Sequence, residues 1–357
     1  MKAIVIREFG PPSVMKLEEV PTPEPGPGEV LIKVHAVSVN RTLDLAVRAG
    51  QYAHRPKLPH VLGVDPCGVV AAVGPEMTTR KVGDRLACGA IVGTQPSGLP
   101  IILGVNTWGG YAEYVKVPVH VTHFIPTALD FMTAAVVARH APLAFTQLRD
   151  RAKVKPGEWV LIMGAAGGLG SIALQAAKHL GAQVIGTASA SKHAQLRTLG
   201  VDHLIDYRTE DFETRTREIT NGRGVELILD AVGGDSWKKG YRVLAPTGRL
   251  GAFGISAAAT GKQRNLLGMF SLLAYTPWLA FNPLSLMNAN KGAFGVNLGH
   301  MWGEVDRIRG WAGQLFDLWA QGAIKPVVAR SFRFDEAAQA HHFIQDRRNI
   351  GKVLLVP

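Results

Sequence analysis

The chain divides by its hydrophobic rhythm. Over its first third, apolar and polar positions alternate in short runs, the two-residue period of half-buried strands. Residues 1–9 (MKAIVIREF) and Glu29 to Val39 (EVLIKVHAVSV) show it most clearly. His60 to Val73, Lys81 to Leu86 and Trp108 to Val117 repeat it in shorter pieces. Glycine and proline punctuate these runs at Pro11-Pro12, at 20–28 (VPTPEPGPG) and from Gly93 to Asn106. One short helical patch, Leu43 to Arg48, stops at Gly50. An irregular, mostly β domain is expected here.

Near Pro126 the rhythm changes. Met132 to Arg149 has a helical period that Pro142 interrupts. From Val154 onward, strand-length apolar runs alternate with helix-length amphipathic ones. The expected strands are 159–163, 183–187, 203–206, 225–230 and 248–253, and the expected helices 171–180, 191–199, 210–220 and 235–243. That alternation predicts an α/β domain, a Rossmann-like doubly wound parallel sheet. A strand at 292–298, a helix at 303–320 and a strand–helix–strand tail over 324–357 complete the chain. The stretch 266–287 carries no charge and has the length of a membrane span, but Pro277 and Pro283 break it. A buried cap, lid or subunit interface is expected there instead.

The chemistry concentrates at WVLIMGAAGGLG (159–170), followed by SIALQAAKHL (171–180). An apolar strand, a small-residue turn and a helix form a dinucleotide site. The glycines let the backbone approach a pyrophosphate, and the helix N-terminus offers unpaired N–H groups to its charge. The expected cradle is Gly164, Ala165, Ala166, Gly167, Gly168, Leu169 and Gly170. Ala165 stands at the first glycine position, a departure from the stricter GxGxxG form. An NAD enzyme places an acid about 20 residues past the glycines to hold the ribose hydroxyls. That position falls near Thr187 or Ala188, and neither is acidic. Ser189, Lys192 and Tyr207 offer hydroxyls and a positive charge instead, so NADPH is the expected cofactor. The competing structural reading has Ser189 capping the next helix and Lys192 merely exposed.

Composition narrows the classes. The 357 residues include only two cysteines, Cys67 and Cys88. They exclude a disulfide scaffold and a four-cysteine zinc lobe, and they fit a reducing compartment. The net charge of +11 makes a basic surface, but no Lys/Arg block interleaved with aromatics suggests nucleic acid. Charges interrupt the N-terminal MKAIVIREFG too early for a signal peptide, and a cytoplasmic location is expected.

Several stretches carry a family resemblance: GTASASKH (186–193), IDYRTEDF (205–212), GVNLGHMWGEV (295–305), NIGKVLLVP (349–357), WGGYAEYVKVP (108–118) and KVGDRL (81–86). With the glycine turn, they resemble the medium-chain dehydrogenase/reductase superfamily. Within it the chain looks like the zinc-free quinone oxidoreductases, and is most similar to the branch of VAT-1 homologues. The resemblance implies a discontinuous GroES-like catalytic domain, 1–126 plus 301–357, around a Rossmann domain at 127–300, with cofactor and substrate in the cleft. It implies that Gly254, Ile255, Phe294, Val296, Asn297, Asn349 and Lys352 line the nicotinamide side. It further implies a homodimer joined through the 292–298 edge. Zinc-dependent relatives use a Cys and a Gly-His-Glu motif where this chain has Asn40 and Gly63-Val64-Asp65, so no metal is expected.

Four departures from the family fall near the implied cleft. Asn40 and Asp44 are one residue further apart than usual, and Asp65 ends the Gly-x-Glu triad. Leu143 replaces a threonine, and the loop 91–107 is longer.

The expected activity is hydride transfer from NADPH to a small quinone or an activated C=C, which need no metal to polarise them. Tyr52 is the candidate proton donor or orienting group, and Asn40 the candidate hydrogen-bond partner of substrate or nicotinamide amide. Asp44 and Arg48 read as an i, i+4 helix pair, and His140 as a packing histidine. The alternatives are a zinc-free ketone or alcohol oxidoreductase, or an NADPH-binding protein with little turnover at a membrane or partner surface. Peripheral membrane contact belongs to that last reading.

Overall fold

The structure is a computed structural model whose backbone is described for residues 1–52, 54–256, 281–297 and 304–357. Side chains are described for the same residues, apart from 138–143, 145–146, 305–309, 312 and 315. The strands are β1 Lys2–Ile6, β2 Met15–Glu19, β3 Glu29–Val39, β4 His60–Val61, β5 Pro66–Val73 and β6 Arg85–Cys88. They continue with β7 Ile91–Thr94, β8 Pro100–Ile102, β9 Tyr114–Pro118 and β10 Thr122–Phe124. The second half adds β11 Trp159–Ile162, β12 Gln183–Ala188, β13 His203–Asp206, β14 Val225–Asp230, β15 Leu244–Ala252 and β16 Gly292–Gly295. The last two are β17 Val328–Arg333 and β18 Lys352–Val356.

Two sheets organise the molecule. The first runs β10-β6-β5-β3-β18-β17, with β9 also on β3. Strand β3 is its spine. Its alternation leaves Lys33 and His35 exposed, whereas Ala36 to Val39 are all buried because both faces are covered there. The C-terminal β18 pairs antiparallel with β3, Val353 opposite Val39, so the two chain ends build one sheet. The second sheet is parallel, in the order β13-β12-β11-β14-β15-β16. Strand order reverses on either side of β11, the switch point at which such sheets bind ligands outside their strand C-termini. Val160, Leu161 and Ile162 are fully buried, as a central parallel strand requires.

Helix α1 spans Asp44–Arg48 and α2 spans Phe131–Phe145. Pro142 does not end α2 as the periodicity suggested; the helix runs on into a π-helical turn over Thr146–Arg151. Helix α3 spans Gly168–His179, starting inside the glycine turn and not after it. Helices α4 His193–Arg197, α5 Phe212–Ile219 and α6 Asp235–Val243 cross between the parallel strands. Helix α7 Pro283–Ala289 precedes β16, α8 Val305–Ala320 packs on α2, and α9 Ala337–Gln345 lies between β17 and β18. Most of the apolar stretch 266–287, residues 266–280, lies outside the described residues. Among the described residues, no helix is long and apolar enough to cross a membrane.

Candidate functional site

The glycine turn is tied down from three sides. Gly164 N–H donates to Thr187 Oγ1 at 3.0 Å, and Ala165 N–H to the Thr187 carbonyl at 3.1 Å. Thr187, at the position expected for an NAD-selecting acid, therefore holds the turn itself. Gly170 has no room for a side chain: a Cβ there would drive into the Gly164 carbonyl. The Ala165 methyl is accommodated by Gly186 on β12, where a Cβ would stand 2.9 Å from it. From the far side, Gly351 N–H donates to the Ala166 carbonyl at 2.9 Å. The C-terminal loop thus lies directly on the turn. The turn opens α3 with Gly167 at its N-cap and no side-chain cap, leaving its first N–H groups for an anion. Gly168 and Leu169 form the first turn of that helix.

Beyond β12 the structure assembles a cationic cluster. Lys192 Nζ donates to the carbonyls of Arg347 and Asn349, each at 2.7 Å. Burial, then Arg208, Arg347 and Arg41, hold the Lys192 ammonium below its ordinary pKa. Burial and Arg347 act the same way on Arg41, and Tyr207 opposes them. Arg41 Nη1 donates to the Ile344 carbonyl at 3.3 Å, but its buried Nε has no hydrogen-bond partner. Four cations and the half-exposed Tyr207 thus share one corner. Packing like charges costs free energy unless an anion joins them. Ser189 Oγ lies 3.4 Å from Ser191 Oγ, and Ser189 makes no side-chain cap to the following turn. The capping reading of Ser189 and the exposed reading of Lys192 therefore do not describe these side chains. Of the sequence candidates Ser189, Lys192 and Tyr207, the structure brings Lys192 and Tyr207 together with Arg41, Arg208 and Arg347, which no sequence expectation named. Arg41 and Arg347 come from the other sheet's side, and no local pattern announces them.

At the C-terminal ends of β15 and β16 the structure gathers the next group. Gly254 packs against Ala231, and Ile255 is exposed beside it. Phe294 packs its ring against Gly251. Val296 is buried and donates its N–H to Ala252 at 3.0 Å, and Asn297 is exposed.

The remaining candidates belong to a buried polar network in the first sheet. Lys352 Nζ donates to Asn40 Oδ1 at 2.5 Å. Asn40 Nδ2 donates to Asp44 Oδ2 at 3.1 Å, to Asp65 Oδ2 at 3.3 Å and to Ser38 Oγ at 3.3 Å. Ser38 Oγ donates to Asp65 Oδ2 at 2.5 Å. Asp44 also accepts from the Asn40 and Gly63 backbone N–H groups at 2.7 and 3.2 Å. Behind it, Tyr111 hydrogen-bonds Asp44, and its hydroxyl lies 3.2 Å from His341 Nε2. His341 Nδ1 in turn lies 3.2 Å from Arg48 Nη1. Burial first, then Asp65, push Asp44 up to about 7, while its Asn40 donors and the Lys352 charge pull the other way. The extra residue between Asn40 and Asp44 does not separate them, because the chain turns between β3 and α1. Asp65, which ends the departed triad, is a working member of the network.

Tyr52 follows α1 as a half-buried ring against the first sheet's apolar core. Asn349 Nδ2 donates to the Gly351 carbonyl at 2.8 Å, bracing the C-terminal loop. The backbone of His140 and Leu143 lies in α2, and their side chains are outside the described residues. Among the described residues, no three His, Cys, Asp or Glu side chains gather as metal ligands. Val64 is buried, and Asn40 is hydrogen-bonded to two carboxyl groups and an ammonium.

The site therefore combines a glycine turn at an uncapped helix N-terminus, a polycationic corner and a buried lysine in the polar network. Comparison with known proteins places the fold. An alcohol dehydrogenase GroES-like domain model matches residues 26–127, and a zinc-binding dehydrogenase model matches 199–355. The human synaptic vesicle membrane protein VAT-1 homolog is 36% identical over 362 residues, covering 100% of this chain and 86% of the relative. A quinone oxidoreductase of Pseudomonas aeruginosa is 33% identical, covering 100% and 99%. Among solved structures, a Pseudomonas syringae quinone oxidoreductase superposes with a TM-score of 0.81 at 31% identity, covering 100% and 99%. The Escherichia coli quinone oxidoreductase complexed with NADPH gives 0.82 at 28%, covering all of both chains. The chain belongs to the medium-chain dehydrogenase/reductase superfamily, in the family that holds the quinone oxidoreductases and the VAT-1 homologues.

Proposed function

We propose that this protein is an NADPH-dependent, zinc-independent oxidoreductase acting on a small quinone or the activated C=C of an enone. The observation that carries the reading is the corner built by Arg41, Lys192, Arg208 and Arg347 with Tyr207. A 2′-phosphate is the anion that such a corner, next to a pyrophosphate cradle, would take. The NADPH bound to the Escherichia coli relative supports it. When bound, NADPH supplies a hydride, and the chain supplies position and electrostatics. Gly164 to Gly170 would hold the pyrophosphate; Ser189, Lys192 and Tyr207 the 2′-phosphate; Gly254, Ile255, Phe294, Val296, Asn297, Asn349 and Lys352 the nicotinamide side. Tyr52 would orient the acceptor.

Zinc independence rests on the donor set, since Asn40 and Val64 stand at the two ligand positions. Without a metal Lewis acid, the reaction suits acceptors that are already electrophilic. The two buried thiols fit a reducing, cytoplasmic setting. The catalytic unit is read as residues 1–126 with 301–357, the nucleotide unit as 127–300, and the working form as a homodimer through β16.

The test is NADPH consumption against a panel of quinones and enones, with NADH in parallel. Turnover with NADPH in clear preference to NADH is expected. Tight NADPH binding with no turnover, beside association with liposomes, would sink this reading and favour a surface-associated nucleotide binder.

A further inference from the structure

The network around Asn40 has a direction. The Lys352 ammonium donates only, so Asn40 Oδ1 must face it and Nδ2 is turned to Asp44 and Asp65. Asn40 therefore cannot rotate without losing both sets of bonds. Burial is graded along the same line. Asp44, Arg48, Tyr111 and His341 are 0% exposed and Asp65 3%, whereas Asn40 and Lys352 keep 6% and 5%. Asn40 and Lys352 are thus the least buried members of the network. Lys352 lies one residue past Gly351, which bonds to Ala166 in the pyrophosphate turn. Behind Lys352 stand the carboxyl groups of Asp44 and Asp65, joined to it through the Asn40 amide.

Reducing a quinone or enone places an electron pair on the carbonyl oxygen, which needs a positive charge beside it and then a proton. Resting on the function proposed above, we propose that Lys352 is that acid, and that Asn40, Asp44 and Asp65 are positioning residues that aim it. Hydride adds to the conjugated carbon of an enone, or to one carbonyl oxygen of a quinone, and the electron pair moves to the enone oxygen or to the far oxygen of the quinone. A Lys352 Nζ–H bond breaks as the O–H bond forms, giving the enol or hydroquinone, NADP⁺ and a neutral amine. Water reprotonates the amine, and an enol product tautomerises in solution.

The test uses the full chain with Lys352→Met, Lys352→Arg, Asn40→Ala and Tyr52→Phe. Three readouts are taken: NADP⁺ affinity by fluorescence titration, kcat with the acceptor panel, and ionisation of 4-nitrophenol by absorbance in the NADP⁺ complex. The parent should ionise the bound phenol at lower pH than in water, by about one pH unit or more. Lys352→Met should abolish that shift. Lys352→Arg, which keeps the charge but releases no proton near neutral pH, should retain it. Both should still bind NADP⁺, with a loss of affinity well below the roughly 100-fold fall expected in kcat. Asn40→Ala should reduce the shift and cost about tenfold in kcat. Should Lys352→Met fail to fold, Lys352→Arg still decides the matter.

Retained kcat in Lys352→Arg, an unshifted phenol in the parent, or a loss confined to Tyr52→Phe overturns the assignment to Lys352. A parent inert toward every acceptor overturns the function reading and this inference with it.

Discussion

At the scale of single residues, selectivity for the 2′-phosphate should rest on side chains that no local motif reveals. Arg41 has a buried Nε without a partner and sits in the electrostatic field of Lys192, Arg347 and Tyr207. Losing one charge-assisted hydrogen bond costs about 1.5–3 kcal/mol, roughly ten- to a hundredfold in affinity. Arg41→Ala should weaken NADPH binding by that factor and leave NADH binding nearly unchanged, as paired fluorescence titrations would show. Equal weakening of both would place Arg41 outside the phosphate corner. Asp44 gives a second expectation, with a defined sign. Its pKa is raised from 3.8 to about 7, chiefly by burial and then by Asp65. A raised acid stabilises the fold fully below the unfolded value, and that contribution is lost as pH climbs through the folded value. The parent should therefore lose Tm relative to Asp44→Asn between about pH 4 and pH 7. A difference in Tm that stays flat across this window contradicts it. The glycine turn was legible in the sequence because its members are neighbours. The Tyr111–His341 and Arg48–His341 contacts join residues 230 and 293 positions apart, so Asp44 and Arg48 read only as a local helix pair.

Elements show the same division between what is local and what is not. The strands β13 and β14 and helix α6 lie where periodicity put them, because apolar runs bounded by turn residues dictate them. The π-helical turn after α2 was not legible. A helix containing Pro142 reads as broken unless its packing partners are known, and here α2 lies between β3, α3 and α8. The departure at Ala165 likewise finds its explanation on another strand, in the missing side chain of Gly186. The C-terminal loop is the element on which the site depends most. Gly351 adopts φ 81°, and a Cβ there would collide with the Val327 carbonyl. Its N–H holds Ala166, and its neighbours Asn349 and Lys352 face Lys192 and Asn40. Gly351→Ala should therefore cost about 2 kcal/mol of stability, measured in denaturant. It should also weaken dinucleotide binding about tenfold, through the turn it braces. Loss of stability with unchanged dinucleotide affinity would show that the loop only closes the sheet.

The whole molecule poses the question of assembly. The parallel sheet ends at β16, which pairs with β15 on one side and has no described strand on the other. An exposed strand edge of this kind invites a second copy. Beside it, Leu284 and Met287 on α7 are 68% and 65% exposed, more apolar surface than solvent favours. The two features are contiguous in sequence, separated by the Asn290 turn. Which N–H groups face outward follows from the ladder. Val296 N–H points back to Ala252, so alternation turns Phe294 N–H inward and Ala293 N–H to the open edge. A proline at 293 would remove that donor while leaving the inward ladder bonds available. In a twofold pairing the loss occurs twice, at about 1 kcal/mol each. Ala293→Pro should therefore raise the dimer dissociation constant at least tenfold, as sedimentation equilibrium over a concentration series would measure. Met287→Glu should act in the same direction by placing a charge in the apolar contact. A parent that sediments as a monomer at every concentration, or an Ala293→Pro variant as dimeric as the parent, would mean that β16 is an ordinary sheet edge. In that case the apolar face of α7 would require a different occupant.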